Sequence, residues 1–357
     1  MAKHMSNAPD DLGPRAPRAR FAPGSAVGPP VYAPYASEDD NRRPASRRRG
    51  SVTRVVAGLL VFAVGAAIFL FPTVTEILAQ RDAEQAISAA LVADGVSDQA
   101  APAASASGKR DKATDPAYQW LLDNNQRVAT GQGGTINDPW GIGSDSDELS
   151  GVGLSDAIVG SLTISSLGEK LPLYLGSSMD HLAGGVAVIS GTDAPLGQTG
   201  SNCVIAGHRA KWSGLTMFRD IENVHEGDAV DIETPWDSLV YKVVGFRIID
   251  PTSQEDIKET CAIQPGRDLV TLVTCHPYGH NYQRYVVTCE RESDASATPS
   301  GTTAGFLARN PVSEALQPSA SPLLVIERWL RVVGLLLMLA VLVMGVAGLV
   351  RCIGRRR

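Results

Sequence analysis

Three side chains that can act together on an amide bond lie at the ends of predicted strands. The strand Thr271–Thr274 leads directly into Cys275, and after a short turn containing proline and glycine the return strand begins at Arg284. A third apolar strand, Cys203–Ala206, is followed two residues later by His208. A thiol, an imidazole and a guanidinium are the groups needed to attack an amide and to stabilise the resulting oxyanion. These residue types in these positions indicate cysteine-dependent acyl-transfer chemistry.

Each of these residues also has an ordinary structural interpretation. Cys275 could be a small buried apolar residue, but it lies where a β-branched strand meets an exposed loop, and a thiol has little packing value there. His208 could be a solvated loop histidine. Its rivals are His276, which points to the opposite strand face from Cys275, and His280, which lies within the turn. Arg284 could be an exposed strand-end charge, but beside Cys275 it can stabilise a thiolate and an oxyanion alike.

Two metal-binding interpretations are weaker. Cys275, His276 and His280 have a spacing that suits zinc only on a helix, which Pro277 and Gly279 exclude. An acidic cluster in the loop over 131–150 lacks the full set of ligand positions and the closing glutamate spacing of a calcium loop. Its members are Asp145, Asp147 and Glu148. We therefore expect no metal site at either cluster.

Two uncharged apolar runs, Val55–Phe71 and Val332–Val350, frame the chain. Each is about long enough to cross a bilayer core as a helix, and neither has the polar stripe of a buried core helix. Arginine clusters lie on the outer flank of each run, which predicts two membrane spans, cytoplasmic termini and an extracellular segment between them. A cleavable signal peptide fits less well, because about fifty residues precede the first run.

The distribution of charge agrees with this orientation. The first 50 residues carry nine Lys and Arg against five Asp and Glu, and residues 351–357 carry four Arg. With a net charge of −6 for the whole chain, the intervening segment has a net charge of −14. An acidic exterior argues against nucleic acid as a partner.

The chain has five cysteines and no C-x-x-C pair, which argues against a structural zinc site. A disulfide is permitted outside the membrane, and Cys203, Cys261 and Cys289 could supply one. The sequence does not choose a pairing, and an all-thiol state is an equal alternative.

Between Ile158 and Cys289 the sequence has eight short β-rich runs separated by turn residues. This pattern predicts a compact β-barrel or sandwich rather than a parallel α/β sheet. A short helix is predicted over Leu215–Val224, and Asp115 is expected to cap a helix that begins at Pro116. The β-rich runs are Ile158–Ile164, Leu171–Leu175, Val186–Ile189, Cys203–Ala206, Ala229–Ile232, Val240–Ile249, Leu269–Thr274 and Arg284–Cys289.

Changes in composition predict the boundaries of the domains. They are a disordered basic tail over residues 1–50, a membrane helix over 51–74, a helical stalk and spacer over 75–130, a loop over 131–150, the β-rich domain over 151–292, a linker over 293–322, a membrane-entry segment and second membrane helix over 323–350, and a basic tail over 351–357.

The candidate residues lie in a pattern that resembles the signature of sortases, specifically the pilus-assembling class C sortases. The resemblance covers about residues 115–350 and includes a C-terminal membrane helix. The matching residues are Thr271-Leu272-Val273-Thr274-Cys275, Pro277-Tyr278-Gly279, Asn281, Arg284, Leu171-Pro172-Leu173-Tyr174, Gly191-Thr192, Pro195-Leu196-Gly197, Ala206-Gly207-His208-Arg209, Phe218 and Gly227-Asp228.

The resemblance implies a mainly β fold, an eight-stranded sortase-type barrel with short helices between the two membrane helices. It also implies that Cys275 is the nucleophile, His208 the acid/base and Arg284 the oxyanion donor, with Thr274 as a substrate contact. Two positions depart from the family pattern. Val188 stands where a histidine is common, and His276 stands where a small polar residue is common.

The same resemblance gives the loop over 131–150 the part of a lid. Asp138, Pro139 and Trp140 look like the lid anchor of class C, in which the acid pairs with the catalytic arginine and the aromatic ring covers the cysteine. The physical basis is that proline stiffens the approach, the ring excludes water and the carboxylate neutralises Arg284 at rest.

The reaction implied is transpeptidation without a cofactor. The thiol attacks the Thr–Gly bond of an LPXTG-like sorting motif in a pilin or surface protein, and a lysine amine of the next pilin resolves the thioacyl intermediate. A housekeeping sortase that anchors proteins to the cell wall is one alternative. A non-catalytic membrane-anchored binding module with a sortase-like barrel is another. An L,D-transpeptidase is weaker, because its Ser-x-Gly-Cys arrangement is absent.

Overall fold

The fold was obtained as a computed structural model, which describes residues 49–91, 109–133, 136, 158–292, 316 and 322–354. The helices in these ranges are α1 (Arg49–Leu91), α2 (Pro116–Ala129), α3 (Met179–Gly184), α4 (Gln254–Thr260), α5 (Pro322–Gly354) and a 3-10 helix (Phe218–Asn223). The strands are β1 (Ile158–Ile164), β2 (Glu169–Leu175), β3 (Val186–Val188), β4 (Ser201–Ala206), β5 (Lys211–Trp212), β6 (Leu215–Thr216), β7 (Ala229–Glu233), β8 (Ser238–Ile249), β9 (Asp268–His276) and β10 (Gln283–Arg291).

Eight of these strands close into a barrel in the order β1-β2-β3-β4-β9-β10-β8-β7, with β7 paired back to β1. Two of the pairings, β2 with β3 and β4 with β9, are parallel, and the others are antiparallel. The eight barrel strands coincide with the eight β-rich runs of the sequence. The predicted mainly β, eight-stranded barrel is therefore confirmed.

The barrel has one apolar layer inside and a second on its outer face. On β9, Val270 and Leu272 belong to the interior cluster, whereas Val273 belongs to a separate outer cluster with Val204, Ile249 and others. Successive side chains of a strand point to opposite faces, which accounts for this division. A strand that is apolar on both faces reads as a continuous hydrophobic run, and the sequence of β9 has that form.

Helix α2 begins where the sequence predicts. The carboxylate of Asp115 accepts hydrogen bonds from the backbone N–H groups of Ala117 at 2.8 Å and Tyr118 at 3.3 Å, and Pro116 occupies the first helical position. Such a cap contributes about 1 kcal/mol to helix stability. The helix buries Ala117 and Leu121 in the barrel core.

The predicted helix over Leu215–Val224 is only partly correct. Leu215–Thr216 forms a short hairpin with Lys211–Trp212, and only Phe218–Asn223 is helical, with 3-10 geometry. The hairpin turn requires two residues with positive φ, which are Ser213 at 50° and Gly214 at 86°. A two-residue turn of this kind matches the twist of an antiparallel hairpin and excludes a helix there.

Helices α1 and α5 are long and apolar enough to cross a membrane, judged by length and composition alone. They contact each other, since a Cβ added at Gly334 of α5 would lie 2.5 Å from the ring of Phe69. As the sequence predicts, α1 continues beyond its apolar run. There it buries Ala83, Ile87 and Ala90, which share one helix face.

Candidate functional site

Cys275 and Arg284 are directly opposed residues of the antiparallel pair β9 and β10. Directly opposed residues project to the same face of a sheet, with Cβ atoms about 4.5–5.5 Å apart. The guanidinium of Arg284 is buried and donates from Nη1 to the carbonyl oxygens of Asn281 at 3.0 Å and Gln283 at 2.9 Å. These bonds hold the cation at the turn, on the same side as the thiol.

The parallel pairing of β4 with β9 brings His208 to the same rim of the barrel. Ala206 pairs with Val273, and the backbone N–H of Gly207 donates to the carbonyl of Val273 at 3.2 Å. One residue further on, the hydroxyl of Thr274 donates to the carbonyl of Gly207 at 2.7 Å, so the backbones that lead to Cys275 and to His208 are adjacent. The structure thus gathers the three candidate residues at neighbouring strand ends, although 67 residues separate the histidine from the cysteine in sequence.

Thr274, the candidate substrate contact, has a buried side chain. Thr274 as a whole is 1% exposed, and its hydroxyl donates to the carbonyl of Gly207 at 2.7 Å. This bond ties the strand end that precedes His208 to the strand end that precedes Cys275. Any contact of Thr274 with a substrate would therefore have to come from its backbone.

Residues 162–292 match the protein family described as the sortase domain. This segment is a sortase domain. The matched range covers most of the barrel from within β1 and includes the rim with His208, Cys275 and Arg284.

The curated relatives of this sortase domain include two called Sortase A. That of Bacillus anthracis is 28% identical over 130 residues, which cover 36% of this chain and 58% of the relative. That of Listeria monocytogenes is 26% identical over 144 residues, which cover 40% and 60%. The chain therefore spans about three fifths of the length of these relatives. Among solved structures, Streptococcus agalactiae sortase C1 is 26% identical with a TM-score of 0.46, covering 51% of this chain and 91% of that one.

In the sortase domain, the imidazole of His208 lies against the indole of Trp212. The two rings are stacked, with centroids 4.6 Å apart and an angle of 21° between their planes. Burial lowers the pKa of His208 below its ordinary value, which favours the neutral imidazole near pH 7. A neutral imidazole can accept a proton from a thiol and later return it to an amine.

The hairpin that carries Trp212 is fastened to helix α1. The carboxylate of Glu76 accepts from Lys211 Nζ at 2.7 Å and from Thr216 Oγ1 at 3.1 Å. The hairpin turn also packs closely against α1. A Cβ atom added at Gly214 would lie only 2.7 Å from the Cβ atom of Ala79, so the contact leaves no room for a side chain. The stacked ring over His208 is thus supported from the N-terminal helix.

A buried polar cluster supports the end of β9 from the other side of the rim. Arg209 Nη2 pairs with Glu222 Oε2 at 2.7 Å, and its Nη1 lies 2.9 Å from His276 Nδ1 and 3.4 Å from the carbonyl oxygen of Cys275. Glu222 Oε1 lies 3.0 Å from the same His276 nitrogen. Burial lowers the pKa of His276, as does the Arg209 charge, while Glu222 opposes the change. A neutral His276 accepts from Arg209, because arginine can only donate.

An apolar groove lies on the outer face of the barrel beside the candidate site. Its walls come from the outer apolar cluster, from α4 and from Arg284. The lining residues are Ile136, Ile189, Val204, Ile249, Pro251, Ile257, Thr260, Cys261, Val273 and Arg284. Val273 and Cys275 are two residues apart on β9 and therefore project to the same face, so the groove leads to the thiol.

The lid candidates Asp138, Pro139 and Trp140 lie outside the described residues. Ile136 is described, and it packs against the outer apolar cluster and lines the groove together with Arg284.

The four cysteines whose side chains the structure describes, Cys203, Cys261, Cys275 and Cys289, are all thiols. Cys203 on β4 and Cys289 on β10 both pair with Val270 on β9, from opposite sides. They are thus two strand spacings apart, about 9.5 Å, which exceeds the reach of a disulfide.

Within the part of the chain that the structure describes, no three His, Cys, Asp or Glu side chains are grouped to hold a metal ion.

Sequence reasoning missed Trp212 and the cluster of Arg209 with Glu222. The hairpin that positions Trp212 has a local sequence signal, because the dipeptide Ser213-Gly214 is typical of a two-residue turn. Glu222 has no such signal. It reaches Arg209 and His276 only through the tertiary fold.

Proposed function

We propose that the chain is a sortase-type cysteine transpeptidase that acts on an LPXTG-like sorting motif. The main observation in support of the proposal is the register that opposes Cys275 to Arg284, with His208 two residues beyond the end of the parallel neighbouring strand β4. A nucleophile, an acid/base and a fixed cation at one rim are the parts that acyl transfer requires.

The proposed reaction has two acyl-transfer steps. The sulfur of Cys275 attacks the carbonyl carbon of the motif threonine while its proton passes to His208, and Arg284 stabilises the tetrahedral oxyanion. Collapse of this intermediate breaks the Thr–Gly bond, and His208 returns the proton to the leaving amine. An incoming amine then attacks the thioester, and the thiol leaves with a proton. Hydrogen bonds to backbone carbonyls fix the Arg284 guanidinium before the reaction begins.

We assign recognition of the apolar residues of the motif to the groove. Apart from Thr260, Cys261 and Arg284, its lining residues are aliphatic, which suits leucine and proline side chains. Burial of one such side chain contributes about 1.5–3 kcal/mol to binding. The groove leads to Cys275, so a peptide held there presents its next residues to the thiol.

We further propose the class C role, in which a pilin lysine is the incoming amine and pilin subunits are joined by isopeptide bonds. Helix α5, which provides a second candidate span, supports this assignment, as does Asp138-Pro139-Trp140 two residues beyond the groove residue Ile136. The arginine clusters outside both apolar runs favour cytoplasmic termini and an extracellular barrel. In a housekeeping sortase the amine would instead come from the cell wall.

The test is to trap the thioacyl intermediate. The full chain in detergent micelles is incubated with a synthetic LPXTG peptide and analysed by intact-protein mass spectrometry, with Cys275→Ala as the control. A mass increase equal to the acyl fragment that is reversed by hydroxylamine supports the proposal. Peptide binding without an adduct would point to a binding module, and adducts that form equally on Cys275→Ala would refute the assigned nucleophile. Offering pilin lysine peptides or cell-wall amines then separates the two sortase roles.

A further inference from the structure

Helix α5 is joined to the 3-10 helix Phe218–Asn223 by a buried ion pair. Arg328 Nη2 donates to Asp220 Oδ1 at 2.6 Å, and the two side chains are 1% and 4% exposed. A buried charge is strongly disfavoured when its partner is removed. The first turns of α5 therefore have a defined docking position on the barrel, independent of the apolar run that follows.

Two further contacts extend this junction. Arg219, also buried, lies 3.6 Å from Glu327 of α5. Leu323, in the first turn of α5, has a methyl group 3.9 Å from the Cβ position of Gly279 in the turn between β9 and β10. Helix α5 thus contacts both the 3-10 helix and the turn that links Cys275 to Arg284.

The opposite end of the 3-10 helix supports the catalytic strand. Glu222 binds Arg209 and contacts His276, the last residue of β9, and the Arg209 guanidinium lies 3.4 Å from the carbonyl oxygen of Cys275. Asp220 and Glu222 are two residues apart in the short segment Phe218–Asn223, which bends at Asp220 (φ −105°, ψ 20°). A displacement of Asp220 would therefore move the carboxylate that holds Arg209 and His276.

We propose that the first turns of α5 are a positioning element of the catalytic site. The Arg328–Asp220 pair fixes the 3-10 helix, Glu222 on that helix fixes Arg209, and Arg209 holds the backbone of Cys275 opposite Arg284. The C-terminal helix then has a part in acyl transfer beyond that of an anchor. This inference rests on the proposed function for the role of Cys275, but its contacts exist whatever the substrate.

The test compares Arg328→Gln with Arg267→Gln in the full chain in detergent micelles. Arg267 directly precedes β9, has a side chain 35% exposed and pairs with Glu290 at 2.7 Å. Thermal unfolding reports whether each variant is folded. Two kinetic readouts follow, the pH midpoint of Cys275 alkylation by iodoacetamide and the kcat and KM for an LPXTG peptide with hydroxylamine as acceptor.

For Arg328→Gln we expect kcat to fall at least tenfold with KM within twofold of wild type, and the alkylation midpoint to move to higher pH. Arg267→Gln should stay within twofold in both readouts. A folded Arg328→Gln variant with the wild-type kcat and midpoint would overturn the inference. If Arg328→Gln does not fold, Asp220→Asn, which keeps the side-chain shape but removes the charge that pairs with Arg328, decides in its place by the same criteria.

The alkylation readout needs no substrate, so it separates this inference from the proposed function. A wild-type chain without transferase activity would refute the proposed function, while a shifted midpoint in Arg328→Gln would still support the positioning role. An unshifted midpoint in an active, folded variant would refute the positioning role alone.

Discussion

Trp212 covers one face of the His208 imidazole, with the ring centroids 4.6 Å apart. The indole comes from a two-residue hairpin strand that Glu76 of α1 holds in place through Lys211 and Thr216. Stacking limits rotation of the imidazole and removes water from one side of it. An acid/base that must reach both a thiol and a leaving amine benefits from such a fixed orientation.

Trp212→Ala should therefore raise the pKa of His208 and lower activity. Burial holds this pKa below its ordinary value, and removal of the indole exposes the ring, so the pKa moves back toward about 6.5. We expect kcat to fall about tenfold, within the range of acid/base effects. NMR titration of the His208 ring measures the pKa. Trp212→Phe keeps a stacked ring and should change both quantities less, and equal titration midpoints in all three proteins would contradict the role given to the indole.

Arg284→Lys should slow thioester formation by about 100-fold, because loss of one oxyanion donor typically costs 10²–10³ in rate. Lysine keeps the charge but cannot reproduce the planar guanidinium that donates to Asn281 and Gln283. Stopped-flow or quench measurement of the first turnover reports this step. Arg267→Lys, at an exposed ion pair with Glu290, is the matched control and should leave the rate unchanged. An equal effect of both substitutions would point to general destabilisation.

Cys275 should be the first thiol alkylated by iodoacetamide at pH 7.5 in a Cys352→Ser background. Burial raises the pKa of Cys261 to about 11 and that of Cys203 and Cys289 well above the ordinary value, so these three stay protonated and shielded. Peptide mass spectrometry over a time course measures the order of labelling. Modification of Cys261 at the same rate as Cys275 would contradict the prediction.

Folding stability should decrease as the pH rises from about 4 to above 6. Burial raises the pKa of Asp193 and of Asp268 to about 6, so the folded state binds more protons than the unfolded state between these values. A group whose pKa is raised on folding loses stability as pH rises through the folded value, by about 1.4 kcal/mol per pKa unit. Urea unfolding at pH 5 and pH 7.5 measures the difference.

Asp268→Asn tests the assignment of that pH dependence. The amide oxygen can still accept from Tyr241 and Ser201, as the carboxylate does. We expect the stability difference between the two pH values to shrink by an amount of the order of 1 kcal/mol. Asp123→Asn, at a surface position with a side chain 70% exposed, should leave it unchanged. An unaltered slope in Asp268→Asn would remove this residue from the explanation.

Trp140→Ala should speed alkylation of Cys275 if the ring shields the thiol in the resting enzyme. Ile136, four residues earlier in the sequence, lines the groove together with Arg284. The measurement is the pseudo-first-order rate with iodoacetamide, and an increase of about tenfold is expected for loss of a shielding ring. Trp140→Phe should stay close to wild type, and a rate that is the same in all three would exclude the lid.

Local pattern was sufficient for the barrel strands and for the helix that begins at Pro116. Alternating and continuous apolar runs bounded by turn residues identify strands, and a carboxylate before a proline identifies a helix start, because both depend on neighbours in sequence. The opposition of Cys275 to Arg284 is also nearly local, since one short turn joins their strands. The candidate thiol, imidazole and guanidinium were therefore identifiable from sequence alone.

Only the tertiary structure decided how the rest of the chain supports those residues. The parallel pairing of β4 with β9 joins His208 to Cys275, and the pairs Arg209–Glu222 and Asp220–Arg328 depend on elements that meet only in the folded barrel. A buried ion pair between residues 108 positions apart leaves no periodic trace, because its partners are chosen by distance in space. The sequence thus specified the reactive groups and the strands that carry them, whereas the fold specified which charges hold them in place.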